Sequence, residues 1–445
     1  MQSDKTFATR FGVIAATVGS AVGLGNIWRF PYECGANGGS AFLLAYIGFV
    51  IVLGIPVICA EFVVGRASGT NVAGAFRKLG AGRLWQSIGV MGITASFFIM
   101  GFYSVVAGWC MDYIWQSATG FGGVASQTEL HAHFDEIVAS PLRPVAWTIA
   151  FLVVNFLVIS RGVQKGIERI SNLLMPLLFV ILAVFCVNSL LMPGAAEGMA
   201  FLFKPDFSKL DGDALLSAMG QAFFSLSVGM GALITYSSYF SKKTSLVKTA
   251  GITAALDTLV AVMAAIVIFP ACFSFGQEPA AGPRLVFEVL PSIFMSLPGG
   301  QIWGTLFFIL LFVASLTSTI SLSEVVIACM EGEWKMSRGK ATLIEGGAVT
   351  VMAVLSSLSF GALSGWTIFG MNFFNLLDFL SSNILLPAGG VLISIYVGWV
   401  LDRRIVSRQL TPPGHTRSVW VAPVSFCLRF IAPPAILAIF IFGLL

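Results

Sequence analysis

The chain has 445 residues, of which 57% are hydrophobic and only 10% charged. A soluble protein carries about 25% charged residues, so this composition excludes a water-covered globule and implies a polytopic helical membrane protein. The net charge of +4 is spread over short loops, which excludes a nucleic-acid surface, and the seven cysteines form no CxxC pair and read as small buried residues.

Apolar runs near the ~20 residues needed to cross hydrocarbon recur along the chain. Eleven spans are expected, at about 11–34, 40–64, 87–116, 144–160, 167–191, 214–240, 247–275, 302–330, 341–357, 370–400 and 421–444. No linker or low-complexity stretch divides them, so residues 1–445 are read as one all-α transmembrane domain. The opening MQSDKTFATRFG lacks the short apolar core and small-residue cleavage site of a signal peptide. With the N-terminus placed in the cytoplasm, 19 of the 25 Lys and Arg residues fall in cytoplasmic segments. That is the bias of the positive-inside rule, and it puts the C-terminus outside and the protein in a plasma (inner) membrane. The longer outer loops, 117–143 and 192–213, are acidic. His131 and His133 form an H-x-H pair there, read as a surface pair because no third metal ligand is near.

Two spans are poor continuous helices. In the first, Gly19–Pro31 combines Gly23 and Gly25 at mid-span with polar Asn26 and with Pro31, which lacks a donor. In the sixth, Gln221–Gly231 carries Ser225, Ser227, Gly229 and Gly231. Either segment alone also fits close helix packing through small residues. Interruptions at matching places in two halves, spans 1–5 and 6–10, instead point to a transporter site. Half-helix N-termini offer N–H groups to a carboxylate, and freed carbonyls offer hard oxygens to a cation. Arg29, Glu61, Asp257, Glu324 and Asp378 are ionisable at membrane depth, where each needs a partner or an aqueous path. There is no HExxH, serine elbow or paired catalytic carboxylate, so an enzyme is not expected.

The run GSAVGLGNIWRFPY, then NGGSAF, GIPVICAEFVVGR, GQAFFSLSVGMGALITYSSY and ASLTSTISLSE, in order over nearly the whole chain, closely resembles the neurotransmitter:sodium symporter family, in its bacterial amino-acid branch. The resemblance implies the LeuT fold: eleven transmembrane helices, as two inverted five-helix repeats (about 8–191 and 214–400) plus one more (about 421–444), with helices 1 and 6 broken. It implies two sodium ions. The first would take the Ala21 carbonyl, Asn26, Ser225, Asp257 and the substrate carboxylate. The second would take the Gly19, Val22 and Ala314 carbonyls with the Thr317 and Ser318 hydroxyls, which otherwise read as back-bonded to their own helix. All are hard oxygens, as a small cation requires.

By the same resemblance the substrate pocket is lined by Ser20, Ala21, Leu24, Gly25, Ile99, Tyr103, Phe224, Ser227, Met230, Ser318 and Leu322. Tyr103 would bond the substrate carboxylate and form a lid with Phe224. Arg29 and Asp378 would pair as an outer gate, Glu61 would hold the broken sixth helix, and Phe7, Ser238 and Tyr239 match inner-gate positions. The family's inner ion pair falls on Asp4 and Gly332 here, with Lys5, Glu331 and Glu333 adjacent as a shifted alternative. Gly166 and Pro176 bracket nine residues of helix 5, as in members whose helix 5 unwinds; a static kink is the other reading. Monoamine carriers have an aspartate where this chain has Gly23, so the expected substrate is an amino acid that brings its own carboxylate. The apolar wall (Ile99, Phe224, Met230, Leu322) makes it hydrophobic, possible candidates being tryptophan, tyrosine, phenylalanine and leucine. Asp257 stands where asparagine is common, so chloride is not expected to be required, and protonation of Asp257 on the return step is a proton-antiport hypothesis. The expected function is thus sodium-coupled import of a hydrophobic amino acid. The rivals are a carrier of another small carboxylate, GABA-like or betaine-like, and a transporter-fold amino-acid sensor. The sequence sets no oligomeric state.

Overall fold

A computed structural model describes residues 6–121, 127–277, 285–416 and 418–443. Asp4, Lys5 and the side chain of His131 lie outside the described residues. The first span starts where the Thr9 hydroxyl accepts from Gly12 N, capping helix α1 (Arg10–Ala21). It stops at Val22, whose backbone is extended, with ψ at 116°. The chain resumes as α2 (Gly25–Ala36), bent by 53° from α1.

Helices α3 (Ser40–Ser68), α4 (Val72–Lys78), α5 (Arg83–Thr119), α6 (Gln127–Ala139), α7 (Arg143–Ser160), α8 (Val163–Leu190) and α9 (Ala195–Phe203) follow. The second half holds α10 (Gly212–Ser225), α11 (Ala232–Ser238), α12 (Leu246–Ser274), α13 (Leu285–Ser296), α14 (Gly300–Glu333), α15 (Arg338–Leu358), α16 (Phe373–Val400), α17 (Arg403–Leu410) and α18 (Val421–Phe442). Among the described residues nine of these helices are long and apolar enough to cross a membrane unbroken, and α1 with α2 makes a tenth span. The sixth span, expected at 214–240 with a break within Gln221–Gly231, is two pieces, α10 and α11, separated by Leu226–Gly231.

Local chemistry explains the interruptions. Ser227, Gly229 and Gly231 have φ of 54°, 90° and 76°, a region that favours glycine and ends a helix. Irregular backbone at membrane depth survives only when buried in protein or lining a cavity. Glu61 of α3 meets part of that need, accepting from Gly229 N at 2.7 Å. Elsewhere π turns precede prolines: Gly25–Arg29 before Pro31, Val50–Gly54 before Pro56 and Leu380–Leu385 before Pro387. The wider turn relieves the clash and the missing donor that proline brings.

Helix α14 is the central post, buried along most of its length, whereas α18 is mostly uncovered and faces outward from the bundle. The short helices α6 and α13, which the sequence reading leaves as loops, fold over one end. There Phe134 of α6 stacks on Phe287 of α13 at 5.4 Å. That end is the far face below; the end that carries Phe7 is the N-terminal face.

Candidate functional site

The two breaks meet at the middle of the bundle. Gly23 N donates to Asn26 Oδ1 at 3.0 Å, and Leu24 N donates to the Tyr103 hydroxyl at 2.8 Å. A Cβ added at Gly23 would lie 2.6 Å from Ser318 Oγ and 2.7 Å from the Tyr103 oxygen. At Gly25 it would lie 3.0 Å from the Phe224 ring. Glycine at these positions is therefore a requirement of close approach: larger side chains would push apart the groups that converge on the break.

Beside it, the Asn26 amide nitrogen donates to Ser225 Oγ (2.8 Å), the Asp257 carbonyl (3.1 Å) and Asp257 Oδ1 (2.8 Å). Ser225 donates to Asp257 Oδ2 at 2.7 Å, and the Tyr46 hydroxyl reaches Ser225 Oγ at 3.2 Å and Asp257 Oδ2 at 3.4 Å. Asn26 and Asp257 are fully buried. Three oxygens from two helices, α10 and α12, thus surround one donor on α2, and hard oxygens are the acceptors a hard cation uses.

A second oxygen group lies nearer the N-terminal face. Ser318 Oγ donates to the Val22 carbonyl at 3.0 Å, and a Cβ at Gly19 would be 3.2 Å from Thr317 Cβ. The Thr317 hydroxyl turns back onto its own helix, to Val313 O and Ala314 O, each at 3.1 Å. The back-bonded reading of Thr317 is the arrangement observed, and it sets Thr317 Oγ1 and the Ala314 carbonyl side by side.

A cavity of about 640 Å³ opens towards the far face. Leu24, Gly25, Tyr103 and Phe224 line it, with Trp28, Trp109, Phe287, Phe360 and Phe374 among the walls. Ser20, Ala21, Ile99, Ser227, Met230, Ser318 and Leu322 do not line it; they are buried elsewhere in the core. They are tied together: Ser227 Oγ donates to Ser20 O at 3.0 Å, Ser20 Oγ to Ser321 Oγ at 2.9 Å, and Ser96 Oγ to Met230 O at 2.9 Å. The aromatic wall as a whole had no signal in the sequence, because its members come from α2, α5, α13, the turn after α15 and α16 and meet only in the fold.

Arg29 and Asp378 both line this cavity but form no direct ion pair among the described residues. Arg29 lies 3.5 Å from Glu33, one turn along its own helix, and its guanidinium sits over the Phe224 ring at 4.6 Å. Asp378 accepts from Ser382 Oγ at 2.8 Å. Stacking on Phe224 draws the guanidinium onto the cavity floor, which is the physical reason for the departure from the expected pair.

At the N-terminal face, Phe7 packs edge-on against Tyr236 and Tyr239, with centroids 5.8 and 6.2 Å away. The Tyr239 hydroxyl donates to Glu324 Oε1 at 2.7 Å, and Ser238 bonds only to Thr235 O within its helix. Of the two positions of the expected inner ion pair, Asp4 lies outside the described residues. Gly332 has no side chain, Glu331 takes Arg338 at 3.2 Å, and Glu333 takes Arg77 at 2.6 Å. Arg338, which sequence alone places in a loop, holds Glu324 at 2.5 Å. Glu168 adds a second tie, accepting from Ala8 N, Thr9 N and Thr9 Oγ1 at 2.8–3.0 Å. Its carboxylate sits at the N-terminus of α1, where negative charge is favourable. At the far face, His133 Nε2 lies 2.5 Å from Gln116 Oε1.

The family model of the sodium:neurotransmitter symporters matches residues 4–123 and 129–445. An uncharacterized sodium-dependent transporter of Bacillus subtilis, YhdH, is 37% identical over 440 residues, covering 99% of this chain and 98% of its own. A sodium-dependent transporter of Haemophilus influenzae is 36% identical over 453 residues, covering 99% and 98%. The crystal structure of MhsT in complex with L-phenylalanine superposes with a TM-score of 0.90 at 45% identity, covering 98% of this chain and 99% of that one. A multi-pass bundle with two interrupted helices, an oxygen-lined centre and these relatives leads to one assignment: the chain belongs to the sodium:neurotransmitter symporter family, as a sodium-dependent transporter with the LeuT fold and not an enzyme.

Proposed function

We propose that the protein imports a hydrophobic L-amino acid together with sodium by alternating access, with its N-terminus in the cytoplasm and its C-terminus outside. The observation that carries this reading is the convergence of Gly23, Leu24 N, Tyr103 and Ser318 on the first break. The substrate carboxylate displaces the contacts made there, bonding Tyr103 and the first sodium ion. That ion sits among Ala21 O, Asn26, Ser225 and Asp257, with the Asn26 amide turned so that its oxygen faces the cation. The second ion takes Gly19 O, Val22 O, Ala314 O, Thr317 and Ser318 once the two hydroxyls release their carbonyls.

The side chain of the substrate rests on Ile99, Phe224, Met230 and Leu322, with Ser20, Leu24, Gly25 and Ser227 completing the pocket. The neighbouring structure, 45% identical, was solved with L-phenylalanine, which supports an apolar or aromatic substrate. Arg29 and Asp378 close the far face above the lid, while Phe7, Ser238 and Tyr239 close the cytoplasmic face. Asp257 supplies the fixed negative charge beside the first ion, so chloride is not required. The test is competition by all twenty amino acids against sodium-dependent uptake in proteoliposomes. Displacement by tryptophan, tyrosine, phenylalanine or leucine is expected. Displacement only by a GABA-like or betaine-like solute contradicts the reading.

A further inference from the structure

Outside the transport site, one buried acid has no work assigned to it. Glu345, in α15, is 2% exposed, and neither carboxyl oxygen has a hydrogen-bond partner. It lies near Glu324 and Arg338 and beside the Ser323 hydroxyl. That hydroxyl is engaged with the Met100 sulfur at 3.6 Å and receives Asn155 Nδ2 at 3.2 Å. Asn155 Oδ1 is a buried acceptor left without a donor.

Among the described residues the cation of the cluster is Arg338, and each of its three nitrogens is engaged. Arg338 gives Nη2 to Glu324, Nη1 to Glu324 and Glu331, and Nε to the Ile159 carbonyl at 2.8 Å. Two carboxyl groups, those of Glu324 and Glu331, already share this one arginine. A third buried charge without a cation of its own costs several kcal/mol, and such groups neutralise instead. Tyr236 and Tyr239 are the titratable groups on the sixth span. The charged residues of the other helices packed on α15 face elsewhere: Arg83 is exposed, Asp112 pairs with Arg143 at 2.9 Å, and Asp378 takes Ser382.

We infer that Glu345 is a proton-binding site of the N-terminal-face gate: it keeps its proton while Arg338 holds Glu324, and releases it when that pair separates. The O–H bond of Glu345 breaks, the proton passes to water admitted at that face, and the new carboxylate takes over the freed Arg338 two turns away on the same helix. Closing reverses each step. Opening is thereby favoured by alkaline pH at that face, by up to tenfold per pH unit for one proton. The naming of that face as cytoplasmic rests on the proposed orientation; the proton site does not.

Infrared difference spectroscopy of the full-length protein in lipid at neutral pH, wild type minus Glu345→Gln, tests this without substrate. Its failure is thus separable from failure of the transport reading. A carboxylic-acid carbonyl band is expected in the difference, and Glu345→Asp should shift that band. A difference containing only ionised-carboxylate bands overturns the proposal. In proteoliposomes, uptake by Glu345→Gln should lose the dependence on N-terminal-face pH that the wild type has, and Glu345→Asp should restore it. Identical pH profiles for wild type and Glu345→Gln overturn it as well. Should Glu345→Gln fail to fold, the wild-type minus Glu345→Asp spectrum decides alone, and an unshifted acid band counts against the site.

Discussion

The finest test of the site is a single hydroxyl. Tyr103 accepts from Leu24 N at 2.8 Å in a buried setting. Removing one partner of such a bond costs about 1–3 kcal/mol. Tyr103→Phe should therefore weaken sodium-dependent substrate binding by roughly 5- to 150-fold, measured with purified protein; unchanged binding would remove Tyr103 from the site. Asp257 gives a second residue-scale prediction. Replacing chloride with gluconate should leave wild-type uptake unchanged, while Asp257→Asn should lose uptake in gluconate and regain part of it in chloride. Collapse of wild-type uptake in gluconate would contradict the fixed-charge role. The residues around Asp257 were readable because Asn26, Ser225 and Asp257 are polar at membrane depth, where each needs a reason. Arg338 was not readable. It sits at a helix start, and nothing local in the sequence says that its side chain turns inward to Glu324.

Among elements, the sixth-span break rests on backbone that only glycine adopts freely. Gly229 has φ 90°, and a Cβ there would lie 2.5 Å from the Leu386 carbonyl. Gly229→Ala should lower thermal stability by about 1–3 kcal/mol. Gly251→Ala in α12, where nothing lies within 4 Å, should leave stability unchanged or raise it. Equal effects of the two would show that the break is not constrained. Helix α6 over the far face offers a pH test. Burial and the Arg143 guanidinium hold the His133 pKa below its ordinary 6.5. The folded state therefore binds this proton less readily than the unfolded chain. Its contribution is complete above about pH 6.5 and is lost as pH falls below that value. Hydrogen exchange of 127–139 should speed up on acidification, and His133→Gln should remove that change.

The breaks themselves were legible as elements, because glycine, serine and proline at membrane depth violate what a spanning helix needs. Helices α6 and α13 were not. Each is too short to span, and Phe134 of α6 and Phe287 of α13 acquire meaning only against each other and against Trp109 of α5.

For the molecule as a whole the claim is energetic. In the proposed coupling, two sodium ions crossing ~100 mV gain about 4.6 kcal/mol, and a tenfold gradient adds about 1.4 kcal/mol per ion. Together this sustains roughly 10⁵-fold accumulation of a zwitterion. The eleven-span plan was readable because hydrocarbon thickness fixes helix length. The packing that closes the N-terminal face through Phe7, Tyr239, Glu324 and Arg338 was not, since it depends on which helices become neighbours.

The most direct measurement is accumulation of labelled phenylalanine or leucine by proteoliposomes under an inward sodium gradient, against an equal potassium gradient. The account predicts concentration inside well above equilibrium with sodium only, collapsing when a sodium ionophore is added. Equal uptake in both gradients, or sodium-dependent binding that never exceeds equilibrium, would contradict it.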